Sequence, residues 1–187
     1  MNPMWFFIAI FAGTAAFMPM ETLHLMIKHR DSKRFSLLVA LWQLFLFLLV
    51  VEFWTASVDV ESSVDTIGKF FLFLLLPVGV MLMTQLSKPD FGDDASEVDE
   101  ESAFFHHRYW FFGTLALLPI ISLLREVTNG ESVPLDADLL FRMVILSGAI
   151  IGMFLRDRGP RIVHVVVMLI VLLTYTFVVY PNIGMTD

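Results

Sequence analysis

The sequence predicts an all-α fold: a polytopic membrane bundle of about six transmembrane helices, with both termini on the non-cytoplasmic side. Three observations carry that expectation. The chain of 187 residues is 57% hydrophobic and only 17% charged, whereas a soluble domain is about 45–50% apolar and about 25% charged. Its charges gather in short islands between long apolar runs. Six of those runs approach the roughly 20 residues a helix needs to cross a hydrocarbon core about 30 Å thick.

The runs occupy residues 3–27, 35–54, 67–86, 104–125, 139–155 and 162–180, within a single domain spanning 1–187. Backbone polar groups find no water in lipid, so each run closes its own hydrogen bonds as a helix. The alternating pattern of a membrane β-barrel is absent from the sequence. The first run opens on Trp5-Phe6-Phe7 and holds Pro19. Its start lacks the basic stretch of a secretory signal, so it is expected to persist as a helix. The second run contains Gln43 and Glu52, and the third ends before Pro89. The fourth has a short apolar centre completed by its flanks; it opens on Trp110-Phe111-Phe112 and holds Pro119. That echo of the first run fits two three-helix halves of opposite direction, as in transporter inverted repeats. The fifth and sixth runs meet at a basic turn, Arg156, Arg158 and Arg161.

Orientation follows from the cations. Lys28, Arg30, Lys33, Arg34, Lys88, Arg108, Arg156, Arg158 and Arg161 make nine of the twelve Lys and Arg residues, and all fall in or beside the odd-numbered loops. The positive-inside rule places those loops in the cytoplasm of an inner (plasma) membrane protein, so both termini are periplasmic. Lys69, Arg125 and Arg142 remain at the opposite helix ends. The acidic loop at 87–103 reads as a solvated linker. Asp90, Asp94 and Glu101 match three positions of a calcium loop, but Ala95 stands where the turn requires glycine.

With no cysteine in the chain, disulfides, thiolate metal centres and cysteine nucleophiles are excluded. A net charge of −7 opposes nucleic-acid binding, which needs a concentrated basic surface. The expected partners are the lipid bilayer and either further copies of the chain or another membrane subunit.

Glu21 lies seven residues before Lys28, about 10 Å inside the cytoplasmic edge. A carboxylate at membrane depth is costly and is expected to face protein or water. His24 follows one turn later, and Gln43 of the second run lies at a comparable depth. Together with His164 they are the candidate ion- or proton-handling residues; the alternative is that Glu21 anchors helix packing. If the first and last helices pack together, His24 and His164 approach each other. Haem or a transition metal between them is then an alternative, although no cofactor is the expectation. Glu21-Thr-Leu-His24 is also half of a di-iron pattern whose second copy is missing.

An intramembrane serine protease of the rhomboid kind would use Ser147 and His164. That arrangement needs a glycine where Ile145 stands, and counting from Arg156 and Arg161 separates the two residues by about 9 Å in depth. No catalytic residue is assigned, and an enzyme is not expected. Small residues at Ala9, Gly13 and Ala16, and at Gly148 and Gly152, form stripes suited to close helix contact. Glu52 and Arg142 occupy similar depths near the outer face and are candidates for a structural ion pair. The expected function is an ion or proton channel or transporter acting as an oligomer. The alternatives are a non-catalytic membrane subunit or assembly factor, and a b-type haem electron carrier.

Overall fold

Six helices follow one another: α1 (Pro3–Lys28), α2 (Leu37–Val58), α3 (Ile67–Ser87), α4 (Glu100–Thr128), α5 (Ala137–Phe154) and α6 (Arg158–Val179). This computed structural model describes residues 3–28, 36–58, 66–88, 100–130, 133 and 135–179. All six helices are long and apolar enough to cross a membrane. The calcium-loop positions Asp90 and Asp94, the cations Arg30, Lys33 and Arg34, and His29 lie outside the described residues.

α2 runs on to Val58 rather than 54, and two helix starts differ most from the sequence expectation. α4 starts at Glu100, so the last residues of the predicted 87–103 loop are helical. α6 starts at Arg158 rather than 162. Pro160 then sits in the first turn, where its missing N–H is no loss. Caps fix two other starts. The Thr66 hydroxyl accepts from Lys69 N at 3.4 Å, and the Asp136 carboxylate accepts from Leu139 N at 3.1 Å. Two residues past the end of α4, Gly130 stands at φ 78, a left-handed position that glycine adopts without penalty.

α2 is apolar all round, and such a helix belongs inside. It packs against α1, α3, α4 and α6. α1 stands at the edge, chiefly against α2 and α3. Its buried residues are Ile8, Ala12, Ala15, Pro19, Thr22 and Met26, a spacing of alternating four and three that marks one helical face. Ala9 and Ala16 are therefore only half-buried, and Gly13 is exposed with nothing near its Cβ position. The second stripe turns inward. A Cβ on Gly148 would collide with Met168 of α6, and one on Gly152 with the Phe112 ring of α4. Both glycines thus serve packing within the chain.

The helix reversals give the bundle a basic end, with Lys28, Lys88, Arg108, Arg156, Arg158 and Arg161, and an acidic end, with Glu126, Asp136 and Asp138. Towards the basic end an aromatic layer fills the interior. Trp42 lies 5.3 Å from Phe45, 5.1 Å from Phe111 and 5.3 Å from Phe112, and Phe104 lies 5.1 Å from Phe111, all edge-on. Such pairs add about 0.5–1.5 kcal/mol each beyond their buried area. The two aromatic triplets play different parts: Phe111 and Phe112 are core residues, while Phe6 and Phe7 are exposed.

Candidate functional site: a buried charge cluster at the acidic end

The turn between α4 and α5 lays the end of one helix beside the start of the next. Arg142, one turn into α5, ion-pairs with both Glu126 of α4 and Asp138 of its own first turn. From α6, the Tyr175 hydroxyl donates to Asp138 at 2.5 Å. The same hydroxyl is in hydrogen-bond contact with Glu52 of α2, which also feels Asp138, Arg125 and Arg142 electrostatically. Arg125 of α4 is 7% exposed and sits over the Phe73 ring at 4.7 Å. Four helices therefore converge their polar residues on one spot. Lys69, in the first turn of α3, stands at the same end.

These groups border a partly open cavity of about 80 Å³, lined by Glu52, Ser122, Arg125, Arg142 and Tyr175 at one end. Its other walls are apolar: Leu49, Val50, Leu76, Val80, Leu115 and Ile145. On α4 the lining runs from Arg125 back to Leu115, ten residues, so the cavity extends about 15 Å along the bundle. One water needs roughly 10–15 Å³ of such volume, so several fit. Pro77 of α3 and Pro119 of α4 both face it. Each lacks the N–H that would bind the carbonyl four residues earlier and weakens its helix there.

Among the described residues that these contacts join, the charges do not balance. Glu52, Glu126 and Asp138 offer three carboxylates to the two guanidiniums of Arg125 and Arg142. An uncompensated charge in a low-dielectric interior is expensive. One added proton or monovalent cation would bring the five groups to neutrality. Among the described residues no group of three or more His, Asp or Glu is arranged to hold a metal ion. The Nη1 atom of Arg142 is buried without a partner among those residues, which leaves a donor free for water.

The predicted site residues are not gathered. Glu21 and His24 lie on the exposed face of α1. The Gln43 amide is fully buried and donates to Ser87 Oγ at 2.8 Å, between α2 and α3. His164 Nε2 contacts the Gly148 carbonyl at 2.9 Å and lies among Trp42 and Phe112. α6 packs against α2 and α5, so His24 and His164 do not share a site. Arg142 takes Glu126 and Asp138 as ion partners, with Glu52 joining the group through Tyr175.

The Ser147 and His164 depths also need correction. With α6 starting at Arg158, His164 is six residues in, level with Gly148 six residues before Phe154. A nucleophile–base pair fails for another reason: the exposed Ser147 hydroxyl donates to Met143 O at 2.7 Å, away from the imidazole.

No family model, curated protein or solved structure matches the chain. The fold and the site define its class no further than a six-helix bundle with membrane-length helices and a partly buried charge cluster.

Proposed function

We propose that the chain is a multi-pass inner-membrane carrier that moves protons by loading and unloading the Glu52–Asp138–Tyr175 group. The odd loops are cytoplasmic by the positive-inside rule, which puts the acidic end and its cavity on the periplasmic side. The observation that carries the reading is the charge imbalance beside a cavity with room for water. Buried titratable groups in a membrane mark ion and proton paths more often than they stabilise folds. A carrier fits better than a pore. The aromatic layer of Trp42, Phe104, Phe111 and Phe112 closes the basic half, so passage requires rearrangement. Pro77 and Pro119, facing the cavity from adjacent helices, supply the bend points.

The test is proton uptake in liposomes reconstituted with the purified chain. A potassium gradient with valinomycin sets the potential, and an enclosed pH dye gives the readout. Wild-type protein should raise the uptake rate well above that of empty liposomes, and Glu52→Gln should return it to that level. A wild-type rate equal to that of empty liposomes would refute the reading.

A further inference from the structure

Glu21 and His24 stand one turn apart on the exposed side of α1, and neither has a partner among the described residues. In a bilayer that face meets lipid, where a carboxylate is costly. α1 is also the edge helix, held chiefly by α2 and α3, and none of its residues lines the large cavity. A polar pair on such a face calls for a polar surface to cover it.

We infer that this face of α1 pairs with α1 of a second copy, Glu21 of each chain meeting His24 of the other. A two-fold interface is self-complementary, so a contact between positions i and j occurs twice. An acid and an imidazole three residues apart satisfy that requirement on a single surface. The depths agree. Glu21 and His24 differ by about 4.5 Å along the axis, a step that the two side chains can span between parallel copies at the same level. Close approach is open further up the same face, where a Cβ on Gly13 would meet nothing within 4 Å. Phe17, 64% exposed, lies between the glycine and the acid. The occupant is a second copy because orientation and chemistry both match: two copies inserted alike bring the same α1 face to the same level, and each supplies the polar partner the other lacks. Polar contacts between membrane helices are among the forces that hold such pairs.

The absence of native cysteine permits a direct test in native membranes. Phe17→Cys should form disulfide-linked dimers on oxidation, whereas Leu117→Cys, on the exposed side of α4, should not. Association is then measured by energy transfer between labelled copies in liposomes. Glu21→His alone and His24→Glu alone place like residues opposite each other and should each weaken association about tenfold or more. The double exchange, Glu21→His with His24→Glu, restores complementarity and should return association to within about threefold of wild type. This recovery separates a broken contact from a misfolded chain. Absence of the Phe17→Cys dimer, equal cross-linking at Leu117→Cys, or a double exchange that behaves like the single variants would each overturn the inference.

Discussion

The Tyr175 hydroxyl of α6 donates to Asp138 of α5 at 2.5 Å while touching Glu52 of α2. A phenol has one hydrogen to give, so it cannot donate to both carboxylates at once. Tyr175→Phe keeps the ring against Phe141, 5.1 Å away, and removes only that link. The expected cost is about 1–2 kcal/mol in denaturant unfolding, with slower proton uptake in liposomes. Unchanged uptake would remove Tyr175 from the path.

Arg142 holds two acids at once. Arg142→Met leaves Glu126 and Asp138 without their cation and should destabilise the protein by about 3–5 kcal/mol. Adding Glu126→Gln and Asp138→Asn to that variant removes the stranded charges and should recover much of the loss. Unfolding midpoints of the single and triple variants in one detergent decide the matter; equal midpoints would mean that charge is not the cause.

Gly152 and Gly148 face neighbours of different stiffness: the Phe112 ring in one case, the flexible Met168 side chain in the other. Overpacking costs about 1–3 kcal/mol. Gly152→Ala should reach the upper part of that range and Gly148→Ala the lower. Thermal unfolding ranks the two, and the reverse order would show that α4 and α5 separate more easily than α5 and α6.

What the sequence made legible was the set of helices, because crossing a bilayer imposes length and composition directly on each segment. The inward faces were less legible. α2 is apolar all round, so only its neighbours decide what each residue meets. The rule that lipid penalises charge directs Glu21 towards protein or water, and it does not distinguish a bundle interior from an interface between chains. Counting from Arg161 places His164 too near the helix end, because α6 begins at Arg158. The cluster itself left a trace. Arg125 and Arg142 break the positive-inside trend, and both converge on Glu52 and its neighbours. Tyr175 and Pro77 gave no comparable signal in a chain this apolar.

Topology gives a separate expectation. Fusion reporters placed at Asn129 should report a periplasmic location, and those at Gly159 a cytoplasmic one, because the basic turn at Arg156–Arg161 stays inside. The opposite pair of results would turn the bundle over and put the cavity on the cytoplasmic side.

In the proposed carrier a transferable proton supplies the positive charge that the cluster of Glu52, Glu126, Asp138, Arg125 and Arg142 lacks. Infrared spectroscopy of the purified protein, compared in light and heavy water, reads that proton as the carbonyl stretch of a neutral carboxylic acid. The expected result is a band that shifts on deuteration and disappears in Glu52→Gln, with Asp138→Asn altering its position. A band unchanged by both substitutions, or no such band at neutral pH, would contradict a proton held between Glu52 and Asp138.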